Sequence, residues 1–320
     1  MRPVHWYDWP FIFRHRRKIR SLDNILGLTR GGTLTWVQML ANIRPTEHVF
    51  TGVFEPDQDG TKLIGQVHKS QHASSAYISY MVQSKDNDGH DLIALLEGLI
   101  KQAGRWGAKQ VVADLESGSD WFPLFRQAGF SVLSEQRVYQ VKDRDEIHSG
   151  LPRCWRIWSE ADISAMRSLY MTLVPPMIQT VEPLTRREML GLVHYDDRGE
   201  LQAYADMVYG PRGAWVLPLI HPQTRESITA MLARMIQDLP QLNGRKIFVV
   251  SRSYQPWVEH ALADLPLEPG PQQALLVRYM AMRQRVKAEL SFKALENGKG
   301  EPSIPIYPLI NQRNGNGCEG

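Results

Sequence analysis

The sequence predicts an α/β fold in two tandem halves, each a mixed, mostly antiparallel twisted sheet flanked by helices. Three observations predict it. The chain matches itself at a nearly constant offset: Leu63–Val67 lies over Leu201–Ala205, Ala76–Val82 over Ala214–Ile220, and Arg137–Tyr139 over Val277–Tyr279. A repeat this long marks a duplicated domain, because solenoid units run to only about 20–50 residues. Both halves also show one order of elements: three strands, a helix, a strand, a short helix and a strand, which is an α/β order with a mixed sheet. Finally, 320 residues with 43% apolar and 22% charged side chains suit about two ordinary globular domains.

Each element has a local reason. Helical segments open the halves, Asp8–Leu28 and Glu160–Leu190. A hairpin follows, Val49–Glu55 with Leu63–Lys69, turned by Asp59-Gly60, a pair suited to a tight hairpin turn. Its counterpart is Leu190–Tyr195 with Leu201–Tyr209, turned around Arg198-Gly199. The third strands are Ala76–Gln83 and Ala214–His221. Leu92, Leu95, Leu96, Leu99, Ala103 and Trp106 then recur at helical spacing, as do Ile228, Met231, Leu232, Met235 and Leu239. Buried strands Gln110–Leu115 and Lys246–Ser251 come next, then a short helix near Trp121 or Trp257, then closing strands Ser131–Val141 and Gln273–Met282. The charged stretch Lys142–Pro152 places the boundary, giving domains 1–147 and 148–283. Residues 284–320 are expected to hold a short helix, Val286–Leu295, and a disordered tail.

Composition narrows the class further. No run reaches the roughly 18 apolar residues needed to cross a bilayer. A basic run follows Met1–Pro10 in place of an apolar signal segment, so a cytoplasmic chain with no membrane partner is expected. Two cysteines, Cys154 and Cys318, build neither a disulfide framework nor a thiolate metal site. His68 and His72 have the i, i+4 spacing of a zinc pair but fall in a strand and turn, so no metal site is expected. A net charge of +3 argues little for nucleic acid. The run Arg14–Arg20, with Trp9, Ile12, Phe13 and Ile19 as apolar neighbours, reads first as the solvated face of an amphipathic helix. Trp121, Phe125 and Phe130 read as core residues packing the short helix.

The element order, the strand-to-helix step after Gln83, and Gln127-Ala128-Gly129-Phe130 before the last strand together resemble the GNAT superfamily of acetyl-CoA-dependent N-acetyltransferases. The resemblance spans most of residues 1–283, as tandem GNAT-like domains with degenerate motifs. It implies acetyl-CoA as co-substrate and direct acetyl transfer to a small-molecule or peptide amine. It also implies that the third strand splays from its neighbour, so that the free backbone of Met81, Val82 and Gln83 holds the pantetheine arm. Lys85, Gly89 and His90 would then hold the pyrophosphate at the helix N-terminus. A glutamate at Gly89 would be expected to abolish cofactor binding and leave the fold intact. Pro218, in the matching second-half strand, fits a splay because proline cannot donate to a continuous ladder.

The chain also departs from the family pattern. Asp86, Asp88 and Asp91 oppose an anion in the first loop, and the second loop, His221–Ser227, contains no glycine. Where the family often places a tyrosine acid, this chain has Phe125, which has no proton to give. Glu55, His68 and Tyr80, or a water, stay open as the base. Two functions follow: an N-acetyltransferase, or a non-catalytic GNAT-fold binding protein that has lost acetyl transfer. An internal pseudo-dimer of halves makes a monomer or a homodimer the expected state.

Overall fold

Among the described residues, thirteen strands join in a single sheet. In chain order they are β1 (Arg2–Pro3), β2 (Arg20–Ser21), β3 (Glu47–Phe54), β4 (Leu63–Ser70), β5 (Ser75–Gln83), β6 (Gln110–Glu116) and β7 (Ser131–Val141). The second half adds β8 (Trp155–Ile157), β9 (Leu190–Tyr195), β10 (Leu201–Tyr209), β11 (Gly213–Ile220), β12 (Lys246–Arg252) and β13 (Leu267–Tyr279). The computed structural model describes residues 1–31, 47–56, 62–83, 89–148, 152, 154–184, 190–240 and 244–280. All of them belong to the unit Met1–Ala281. Asp59-Gly60, Lys85, Met282 and the segment Val286–Leu295 lie outside the described residues.

The strands run in the order β1-β3-β4-β5-β6-β13-β7-β12-β11-β10-β9-β8, with β2 set beside β5. All pairs are antiparallel except two: Ser75–Tyr77 with Gln110–Val112, and Gly213–Val216 with Lys246–Val249. These two parallel pairs occupy equivalent places in the halves, where the repeat aligns them. A helix follows each, His90–Arg105 and Ile228–Asp238, burying Leu92, Leu95, Leu96 and Leu99 in one case and Met231, Leu232 and Met235 in the other.

The closing strands are exchanged between the halves. β13 pairs with β6, so the second half's last strand completes the first half's sheet. β7 in turn pairs with β12. The cores record the same exchange. Ala274 and Leu276 pack among the first-half residues Leu63, Leu96 and Phe125, and Tyr139 and Val141 pack among Met231, Val249 and Leu262. Trp121, Phe125 and Phe130 are buried in the first of these cores.

Three elements differ from the sequence reading. The opening segment is helical only in pieces, Trp6–Asp8, Trp9–Arg14 and Arg16–Lys18, before it turns into β2. Its counterpart breaks into helices Ile163–Leu173 and Pro176–Val181, because Pro175 forces Val174 into an extended conformation. The final strand begins at Leu267, earlier than the pattern of apolar residues suggested.

The two halves also share a side-chain pattern. Arg2 grips Asp8 at 2.7 and 2.9 Å, and Arg156 grips Asp162 at 2.8 and 2.7 Å. In each case the carboxylate also accepts from a backbone N–H three residues earlier, His5 or Ser159. The guanidinium in each pair holds the carboxyl well below the usual range. Such a group stabilises the fold above its unfolded value near ~3.9, and that contribution is lost as pH falls towards the folded value. Asp162→Asn should therefore cost about 1.5–3 kcal/mol at neutral pH. Urea melts of both proteins should converge below about pH 4; a constant gap down to pH 2 would rule out the charge as the cause.

Candidate functional site

In the first half the parallel ladder ends at Tyr77 and Val112, and the two strands part. A bulge marks the place: Gln66 pairs with Tyr80 and Val67 with Ile78, which leaves Ser79 as the extra residue. The opening is taken by the chain itself. β2 pairs with β5 through Arg20 with Met81 and Ser21 with Tyr80. The Leu22 N–H donates to the Ser79 carbonyl at 3.0 Å, and the Leu22 carbonyl accepts from the Asp114 N–H at 2.8 Å. Leu22 thus bridges β5 and β6 like a short third strand, with its side chain buried in the first-half core. The segment then crosses to the second half, where the Thr29 carbonyl accepts from the Arg212 N–H at 2.9 Å. Glycine permits that approach, since a Cβ at Gly210 would lie 2.1 Å from the Thr29 oxygen.

The second splay is filled differently. Its parallel ladder ends at Val216, two residues before Pro218. Gln255, fully buried, places its amide in the gap. Its Oε1 accepts from the Ile220 N–H at 3.1 Å and its Nε2 donates to the Pro218 carbonyl at 3.1 Å. The Trp257 indole N–H donates to the Ile220 carbonyl at 3.0 Å. A primary amide offers one donor and one acceptor, as a peptide unit does, so one side chain serves here as a strand.

These two fillings decide what the residues named from sequence can do. Met81 and Val82 are buried, and the splay-side backbone of Met81 is committed to Arg20. Gln83 ends β5, opposite Leu63. Gly89 has φ +77°, and a Cβ on it would lie 2.5 Å from a Leu124 methyl. Substituting Gly89 therefore strains the fold, which corrects the expectation that a glutamate there leaves it intact. His90 is exposed at the first turn of the long helix.

The three candidate bases stand apart from one another. Glu55 pairs with Arg2 at 3.0 Å and Lys62 at 2.9 Å. Lys62 first, then Arg2, hold its carboxyl below the usual range, which weakens it as a proton acceptor. Tyr80 is buried, and burial pushes its hydroxyl well above the usual range. His68 lies against the filled splay: Nδ1 is 2.9 Å from Ser79 Oγ, Nε2 is 3.6 Å from Asp23 Oδ2, and the ring stacks on Tyr77.

The sequence reading missed the group at the centre of the sheet. Asp114 accepts from the Asn24 N–H at 2.9 Å and from Gln136 Nε2 at 2.9 Å. Asn24 Nδ2 in turn donates to Gln273 Oε1 at 2.5 Å, so strands from both halves meet in one network. Protein surrounds Asp114 although its side chain keeps some access to solvent, and burial pushes its carboxyl up to about 7. The available signal was an acidic residue inside the otherwise apolar run Val111–Leu115.

Beside the second splay lies a small cavity of about 30 Å³, lined among others by Tyr170, Glu182, Tyr204, Asp206, Leu219 and Tyr254. Arg252, buried, pairs with Glu182 at 2.7 Å, and the Tyr170 hydroxyl donates to the Glu182 carbonyl at 2.5 Å. Among the described residues no three His, Cys, Asp or Glu side chains converge as metal ligands. No described helix is long and apolar enough to cross a membrane.

No protein-family model matches the chain, and no curated protein matches it. Solved structures do. A GCN5-related N-acetyltransferase from Kribbella flavida is 14% identical, over 76% of this chain and 93% of its own, with a TM-score of 0.48. A tandem GNAT protein from the clavulanic acid biosynthesis pathway is 14% identical, over 81% and 94%, at 0.45. A GCN5-related N-acetyltransferase from Sphaerobacter thermophilus is 11% identical, over 87% and 94%, at 0.47. Residue roles do not transfer at such distances. The fold itself is read from the chain's own strand order and its two equivalent parallel pairs.

Proposed function

We propose that the chain is a GNAT-fold binding protein that has lost acetyl transfer. The observation that carries this reading is that the protein fills both of its own splays, with Leu22 in one and Gln255 in the other. A pantetheine arm needs those same backbone groups. To enter the first splay it would have to expel a buried leucine, worth about 1.5–3 kcal/mol, and break two backbone hydrogen bonds worth about 1 kcal/mol each. That cost of about 3.5–5 kcal/mol lowers cofactor affinity by roughly several hundredfold to a few thousandfold. Phe125, buried where a proton donor would stand, supports the same reading. The division into 1–147 and 148–283 belongs to this reading as a duplicated ancestor, with closing strands traded between the copies.

Calorimetric titration of the full-length protein with acetyl-CoA, with dephospho-CoA as control, tests it. No saturable heat is expected below about millimolar ligand. Micromolar binding that weakens on loss of the 3′-phosphate would overturn the proposal and restore the acetyltransferase reading with Met81–Gln83 as its cofactor strand.

A further inference from the structure

The basic N-terminal segment is not arranged as an ordinary solvated face. From Trp6 to Lys18 the backbone is helical in three short pieces, Trp6–Asp8, Trp9–Arg14 and Arg16–Lys18. Its inward side carries Asp8 and Ile12, both buried, with Ile12 packed on Val53, Ile64 and Val82. The exposed side carries Trp6, Pro10, Phe13, Arg14, Arg16 and Arg17. Trp6 is 82% exposed and Phe13 63% exposed, the two most exposed aromatic side chains among the described residues. Two large aromatic side chains held outward on one basic segment offer apolar surface to a partner. Asp8, gripped by Arg2 and Lys62, fixes the entry to the run, so the aromatics protrude from a rigid support.

We propose that this outward face docks on an anionic membrane leaflet. Charge complementarity selects the occupant. Arg14, Arg16 and Arg17 are all exposed and, among the described residues, join no ion pair. Each basic side chain near an anionic leaflet adds attraction, and a protruding Trp and Phe add apolar burial at the headgroup level. Nucleic acid fits less well. Base stacking on Phe13 would compete with Arg16, which covers that ring at 4.7 Å. Insertion among headgroups needs only a protruding edge. The inference departs from the expectation of no membrane partner, which weighed spanning segments alone. It concerns a surface contact and is independent of either splay.

The test sediments full-length protein with phosphatidylcholine vesicles holding about 30% phosphatidylserine, and with pure phosphatidylcholine vesicles, near 0.1 M salt. Binding is expected with the anionic vesicles only. The double variant Arg16→Gln/Arg17→Gln should lower it roughly tenfold or more. Trp6→Ala/Phe13→Ala should do so by a similar factor. All four side chains are exposed, so wild-type melting of each variant separates loss of binding from loss of fold. Failure to sediment, equal binding to pure phosphatidylcholine, or indifference to the aromatic pair would each overturn the proposal. So would tighter binding to single-stranded RNA through the same arginines.

Discussion

Gln255→Ala is expected to destabilise the protein by about 2–4 kcal/mol, read as a lowered urea midpoint at unchanged slope. The side chain lies wholly inside the second splay and satisfies two backbone groups, the Ile220 N–H and the Pro218 carbonyl. Both residues are buried, so neither group turns to bulk water when the amide is removed. An unsatisfied buried donor or acceptor costs about 1–3 kcal/mol, and truncation leaves one of each. Gln255→Glu should be worse at neutral pH, because it keeps the acceptor, loses the donor and buries a charge. A wild-type midpoint for the alanine variant would show that water replaces the amide and that the splay is open to solvent.

The second large effect is a fall in stability as pH rises from about 4 to about 7. Asp114 is held at about 7 in the folded protein by burial, well above ~3.9 for an unperturbed aspartate. Between those values the folded chain keeps a proton that the unfolded chain has released, so raising the pH favours unfolding. The contribution is complete below about pH 4 and is lost through the folded value near 7. Three units of separation bound it at about 4 kcal/mol. Partial solvent access reduces the expected change to about 1–2 kcal/mol. Asp114→Asn should flatten this stretch of the profile, although the amide keeps only one acceptor oxygen for the Asn24 and Gln136 donors. The depressed carboxyls of Asp8 and Asp162 act with the opposite sign and below about pH 4, so the windows separate. Parallel slopes for both proteins from pH 4 to 8 would exclude Asp114 as the source.

Much of the scaffold was legible because it is written in short-range chemistry. β9 and β10 begin and end where alternating apolar residues give way to Asp196–Glu200, with Gly199 at φ +75° in the turn. The long helices followed from apolar spacing alone. What escaped was set at long range. Nothing in Arg20–Asn24 says that these residues cross a sheet opening, since their partners Ser79 and Asp114 lie far along the chain. Nor does Gln255 carry a mark that separates it from a surface glutamine. The exchange of β7 and β13 was equally silent, because their partners β12 and β6 lie far along the chain. Asp114 was the one functional-looking group with a visible trace, a carboxyl in an apolar strand.

The exchange also sets a timetable for the growing chain. β6 leaves the ribosome early, yet its second neighbour is β13, whose last residue is Tyr279. At synthesis rates of about 5–20 residues per second, that neighbour arrives on the order of ten seconds later. Over that interval the nascent first half has a bare hydrogen-bonding edge at β6 and a core without Ala274 and Leu276. An unpaired edge of that kind is a template for pairing with another chain.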